Sequence, residues 1–153
     1  TRVRSSAASD VYKRQDMTFA SAVLEAIDAI LALAYIGLQI YYGVCYHIQV
    51  FKFVANILVL LLVYIAITWL QHYPEKLNHI AAELCVGNIR KYSLRLLTFV
   101  KLVFTAGLLV PCVCDAFGIA IRDVYSLIMI GLILVVTAYY EYRIFQEIKS
   151  LRK

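Results

Sequence analysis

Three ionisable residues lie in stretches that are otherwise apolar, and they are the first candidates for chemistry. Glu25 and Asp28 are three positions apart in one stretch, and Lys101 interrupts another. Because a charged side chain is costly inside a bilayer, such residues commonly mark the route of an ion or a solute. Glu25, Asp28 and Lys101 are therefore the intramembrane polar groups expected of a small transporter or channel.

An ion pair between Asp28 and Lys101 is also predicted. Asp28 is nine residues beyond Phe19 and Lys101 is seven beyond Leu94, so at roughly 1.5 Å per residue their depths in the membrane agree within about one helical turn. Glu25, one turn earlier on the same face as Asp28, is the alternative partner. If no pair forms, Lys101 extends to the lipid headgroups and Asp28 reaches the inner water layer.

Two amide side chains form a second intramembrane polar pair. Gln39 and Asn56 stand a few residues from the expected outer ends of the first and second apolar stretches. We predict that they exchange amide hydrogen bonds, which contribute about 0.6 kcal/mol on average between helices in a membrane.

Three of the four cysteines are expected on the outer face, namely Cys45, Cys112 and Cys114, while Cys85 is expected inside. In an oxidising compartment Cys45 could form a disulfide with either of the other two, and the third thiol could exchange with that bond. This placement resembles the four-span, quinone-coupled thiol oxidases, although the pair here is Cys-x-Cys instead of Cys-x-x-Cys. The resemblance implies a membrane thiol oxidoreductase, the third function considered for the chain.

Other chemistries lack a complete motif. The sequence has no paired nucleophile and base, no phosphate-binding loop and no full set of metal ligands. His47 is expected outside, whereas His72 and His79 flank an inner loop, so the three cannot share one metal ion. We expect no enzymatic activity, no metal, no cofactor and no nucleic-acid partner.

The elements that must position these residues are membrane-spanning helices. The chain is 63% hydrophobic and only 16% charged, with a mean hydropathy of +0.77, whereas soluble domains carry roughly a quarter charged residues. Four apolar stretches are about long enough to cross a bilayer: residues 19–42, 53–70, 94–113 and 124–142. The predicted fold is an all-α, integral membrane four-helix bundle formed as a single domain by residues 17–153.

Basic residues give the bundle a direction. Beyond the first fifteen positions, Lys52 and Arg122 fall on one side, and nine basic residues fall on the other: Lys76, Arg90, Lys91, Arg95, Lys101, Arg143, Lys149, Arg152 and Lys153. Since Lys- and Arg-rich segments stay in the cytoplasm, the sequence predicts a multi-pass protein of the cell membrane with both termini and the middle loop inside.

The middle loop carries its own pattern. Leu77, Ile80, Ala81 and Leu84 recur at helical spacing after Pro74, which predicts a short amphipathic helix between the second and third spans, lying on the inner surface. The alternatives are a cytoplasmic cap packed on the bundle and a helix that docks a partner.

The N-terminal residues are set apart from the fold. Residues 1–15 resemble translated sequencing-adapter read-through, so residues 1–16 are expected to be an artefactual or disordered tail, and Met17 a plausible start. The alternative is a genuine short cytoplasmic tail.

The favoured function is that of a non-enzymatic multi-pass membrane protein that acts through partners, as an accessory, sensory or immunity-type subunit. Its expected partners are the lipid bilayer and either another membrane protein or further copies of itself. From Asn88-Ile89-Arg90-Lys91-Tyr92 through the region around Pro111 to Ile148-Lys149, the chain resembles small four-span bacterial membrane proteins of unknown function. That resemblance implies a fold and a membrane but no activity.

Overall fold

A computed structural model of the chain describes residues 19–81 and 83–153. Most of these residues form four long helices: α1 (Phe19–Cys45), α2 (Val50–His72), α3 (Gly87–Ala116) and α4 (Val124–Leu151). Each helix is long enough and apolar enough to cross a bilayer. The chain is therefore a multi-pass membrane protein with an all-α, four-helix architecture, as predicted. The expected tail over residues 1–16 and the proposed start at Met17 lie outside the described residues.

All four helices are longer than the apolar stretches that predict them. The longest, α3, has 30 residues, which at about 1.5 Å per residue is on the order of 45 Å, against about 30 Å for the hydrocarbon core. Likewise, α4 continues to Leu151, past the predicted end at residue 142. The apolar stretch of the sequence corresponds only to the part of each helix in the hydrocarbon core. The helical backbone hydrogen bonds continue beyond it, into the polar layers of the membrane.

The central helix of the bundle is α3. It packs against α1, α2 and α4, and α1 also packs against α2. Within the described part of the chain, α4 has no other helix as a neighbour, and Ile144 is its only buried residue. Most apolar side chains of α4 therefore face outward, where lipid or another protein would cover them.

The two ends of the bundle are packed differently. The loop end carries residues 73–86, and the far end carries residues 46–49 and 117–123. Most buried apolar side chains belong to segments near the loop end, among them Ile67, Cys85, Ile89, Leu96 and Ile144. The buried apolar core is thus concentrated at the ends of α2, α3 and α4 that lie near the connecting loop.

The amphipathic helix predicted in this loop does not form in its described residues, 73–81 and 83–86. A three-residue 3₁₀ turn, Pro74–Lys76, is followed by irregular turns. His79 adopts a positive φ of 50°, and the N–H of Ile80 donates to the carbonyl oxygen of Glu75 at 3.1 Å. Because a non-glycine residue with positive φ leaves the right-handed helical region, His79 ends any helix that Pro74 begins.

The loop instead forms a cap on the bundle, which was one of the alternatives to the helix. Pro74 and Cys85 are both buried, and the 3₁₀ turn packs against α2 and α3. Pro74 and Cys85 thus pack at the loop end, whereas Leu84 and Val86 are exposed.

Candidate functional site

The charged cluster of Glu25, Asp28 and Lys101 joins α1 to α3. Lys101 Nζ lies 2.9 Å from Glu25 Oε2 and 3.8 Å from Asp28 Oδ2. The side chains of Lys101 and Asp28 are 3% and 1% exposed, whereas that of Glu25 is 32% exposed. The structure thus brings together the three charges that the sequence singles out, and the closer partner of Lys101 is Glu25, the alternative to Asp28.

Helix geometry explains why both carboxylates reach one lysine. Residues three apart lie on the same face of a helix, so Glu25 and Asp28 both point from α1 toward the central helix α3. Lys101 is on the face of α3 that also buries Thr98 and Thr105. The same facing surfaces therefore carry charge and small hydroxyl side chains.

An aromatic ring from α2 completes the surroundings of the ammonium group. Lys101 Nζ lies 4.1 Å from the centroid of the Tyr64 ring, a distance at which the negative face of the ring attracts a cation. Sequence reasoning missed Tyr64. One signal was available: membrane tyrosines concentrate at the two interfaces, whereas Tyr64 falls in the interior of its span.

Glu25 is held by neutral donors as well as by the lysine. Gln71 Nε2 donates to Glu25 Oε1 at 2.6 Å and to Thr98 Oγ1 at 3.2 Å. Thr98 Oγ1 also lies 3.5 Å from Glu25 Oε1, and it donates to the carbonyl oxygen of Leu94 at 3.0 Å. Both oxygens of Glu25 are therefore engaged. Gln71 was missed because it lies one residue past the predicted span.

Asp28 has a different environment from Glu25. Neither of its carboxylate oxygens accepts a hydrogen bond from the described residues. The hydroxyl of Thr105 lies beside Asp28, but its single proton is donated at 2.9 Å to the backbone carbonyl of Lys101 and so is not available to the carboxylate. Two carboxylates thus face one ammonium group, and the buried one keeps unused acceptor capacity. Such an arrangement can exchange a proton or a small cation, because a further positive charge would balance the second carboxylate.

A shallow groove on the surface of α2 shares Tyr64 with the surroundings of the cluster. It has a volume of about 480 Å³ and lies on one side of the helix. Its lining residues are Tyr64, Ile65, Thr68, Trp69, His72 and Tyr73. Since the Tyr64 ring also contacts the ammonium of Lys101, one side chain borders both the groove and the charges.

The predicted amide pair is present nearer the far end. Asn56 Nδ2 donates to Gln39 Oε1 at 3.2 Å, which ties α2 to α1. The network continues to α3, because Gln39 Nε2 donates to Cys112 Sγ at 3.3 Å and Tyr42 donates to the Cys112 carbonyl at 2.9 Å. Gln39 is buried, whereas Asn56 is exposed on the surface of α2.

The three far-end cysteines are not joined in a disulfide in the structure. Cys45 is exposed, and Cys112 and Cys114 are partly exposed. The sulfur of Cys112 instead accepts the bond from Gln39. The outer disulfide and the thiol oxidoreductase function stay predictions.

No protein-family model, curated protein or solved structure matches the chain. The resemblance to small four-span bacterial membrane proteins accordingly stays a prediction, and the function has to be argued from the geometry of the site.

Proposed function

We propose that the protein is a small transporter or channel subunit that handles a proton or a monovalent cation at the charged cluster. The observation that supports this most is the environment of Asp28. A structural ion pair needs one carboxylate for one lysine, and Glu25 already fills that role at 2.9 Å. Asp28 adds a second buried carboxylate, which shares the ammonium group of Lys101 at 3.8 Å and accepts no hydrogen bond from the described residues. A second buried negative charge is costly in a membrane, and such charges commonly mark the pathway of an ion.

The orientation of the protein in the membrane indicates from which side a cation would reach this site. The excess of Lys and Arg at the loop end supports a cytoplasmic location for that end and for both termini. Glu25 is the most exposed charge of the three, and it lies only six residues from Phe19, where α1 begins at the loop end. We therefore place the entrance to the site on the cytoplasmic side, with Glu25 before Asp28.

A flux assay in liposomes tests the proposal. Purified protein is reconstituted with trapped indicators for H⁺, Na⁺ and K⁺, and ion gradients are imposed across the membrane. The wild type should carry at least one of these ions, and Asp28→Asn should abolish the flux while Gln39→Leu, at the far end, preserves it. A wild type no faster than protein-free liposomes, or an Asp28→Asn variant as fast as the wild type, would refute the proposal.

Action through a partner or through self-association, which the sequence favours, is a second candidate, supported by Asn56. Its side chain is exposed on α2, and its amide group donates one hydrogen bond to Gln39. Polar side chains of this kind form hydrogen bonds between helices in lipid. Asn56→Leu should then shift the protein to smaller species in crosslinking experiments in membranes, whereas Val54→Leu, another exposed position of α2, should not. An unchanged crosslinking pattern for Asn56→Leu would count against this candidate.

A further inference from the structure

We infer that the charged cluster is a binding site for a primary ammonium group, and that Lys101 is its resident, covalently tethered occupant. This inference rests on the proposed function, since it names the class of cation that the site recognises. Lys101 Nζ is bounded on one side by Glu25 Oε2 at 2.9 Å and Asp28 Oδ2 at 3.8 Å, and on another by the Tyr64 ring at 4.1 Å.

Each of these neighbours suits an alkylammonium ion. The carboxylates supply charge and accept its N–H donors, of which an ammonium group has three. The ring face attracts the same charge without requiring a hydrogen bond. Calcium and magnesium ions, by contrast, prefer a shell of six or more oxygen ligands, and here an aromatic face occupies one side. The set of neighbours therefore favours an organic ammonium ion over either metal ion.

The count of charges explains how a free ammonium ion would enter. With Lys101 in place, one carboxylate is still unbalanced, and it is the buried Asp28. An incoming ammonium ion binds there and competes with Lys101 for Glu25. The displaced lysine has a flexible four-carbon stem, which lets its charge reach toward the headgroups. Tyr64 borders both the ammonium of Lys101 and the surface groove on α2, so its ring belongs to the site and to the groove.

Chemical rescue tests the inference in purified protein. Lys101→Ala removes the propylammonium portion of the side chain, and n-propylammonium chloride supplies the same group in solution. The thermal unfolding midpoint of the variant should rise with propylammonium concentration and saturate, by about 5 °C or more at one hundred times the Kd. Equal concentrations of n-propanol and of potassium chloride should not produce this rise.

Two further variants keep the test decisive if Lys101→Ala does not fold. Lys101→Ala combined with Glu25→Gln keeps the net charge of the wild-type cluster, and it should still be stabilised by propylammonium through Asp28. Adding Asp28→Asn to that variant removes the last carboxylate and should abolish the effect. Rescue that survives the loss of both carboxylates, or that propanol reproduces, would overturn the inference, as would a folded charge-matched variant that does not respond.

The outcome can be separated from that of the proposed function. Saturable stabilisation by propylammonium together with a wild type that carries neither H⁺, Na⁺ and K⁺ nor propylammonium itself into liposomes would support the ammonium site and reject the transport function. Flux of protons or metal ions without propylammonium rescue would support transport and reject the ammonium site.

Discussion

Lys101 and Glu25 form the closest ionic contact in the described part of the chain, with Lys101 Nζ 2.9 Å from Glu25 Oε2. The bond links α1 to the central helix α3, and the lysine side chain is almost completely buried. Gln71 donates to the other oxygen of the glutamate at 2.6 Å. The pair is therefore part of a network that fixes three helices, and its removal should affect stability as well as activity.

Lys101→Met should lower the free energy of unfolding by about 3 kcal/mol, because it leaves two carboxylates with no cation near them. Adding Glu25→Gln should recover part of that loss, since one uncompensated charge disappears. Gln39→Leu shares no partner with Lys101 and should simply add its own cost. Unfolding by denaturant in detergent micelles measures all of these variants. Additive losses for Lys101→Met and Glu25→Gln would mean that the two side chains do not interact.

Tyr64 offers a matched pair of substitutions. Tyr64→Phe keeps the aromatic face under the ammonium of Lys101 and should change stability little, whereas Tyr64→Leu removes it and should cost about 1 to 2 kcal/mol. The same unfolding measurement compares the two. Equal losses for both variants would show that the ring face contributes no attraction.

The sequence predicts the spans well because membrane insertion depends on composition over a whole stretch. Charges such as Glu25 and Lys101 are equally conspicuous, since few polar residues interrupt those stretches. The identity of the closer partner is harder to predict, because depth along two helices does not say how each is rotated about its axis. Tyr64 and Gln71 reach the site because of how α2 is rotated about its own axis. That rotation is determined by the packing of α2 against α1 and α3.

The connecting loop marks another limit of sequence reasoning. Leu77, Ile80 and Leu84 have helical spacing, but spacing alone does not ensure that the backbone stays helical. No periodicity in the loop reports the positive φ of His79 or the burial of Pro74 and Cys85, and the 3₁₀ turn at the start of the loop packs against α2 and α3.

A proline in α3 creates a further contact that can be tested. Pro111 has no N–H to donate to the carbonyl of Gly107 four residues earlier, and the hydroxyl of Tyr125 on α4 donates to that carbonyl at 3.1 Å. Tyr125→Phe should cost about 0.6 to 1.7 kcal/mol. In a Pro111→Ala background the cost should be smaller, because alanine restores a backbone N–H donor at this position. If Tyr125→Phe costs the same in both backgrounds, the tyrosine does not compensate for the proline.

The proposed orientation predicts which sites react with a membrane-impermeant thiol reagent. In a background with the four native cysteines replaced, a cysteine at Arg122 should be labelled in intact cells, whereas cysteines at Lys76 and Lys149 should be labelled only after the membrane is permeabilised. Labelling at Lys76 in intact cells would place the loop end outside and reverse the proposed entrance.

The central claim, that Asp28 serves a mobile cation, is tested most directly by recording charge movement. Proteoliposomes on a solid-supported membrane receive rapid jumps in the concentration of H⁺, Na⁺, K⁺ or methylammonium, and the transient current is measured. For at least one of these cations the wild type should give a current that saturates with concentration. Asp28→Asn should give none, and Gln39→Leu should retain it. A saturable current of wild-type size in Asp28→Asn, or no current from the wild type with any of the four cations, would contradict the account.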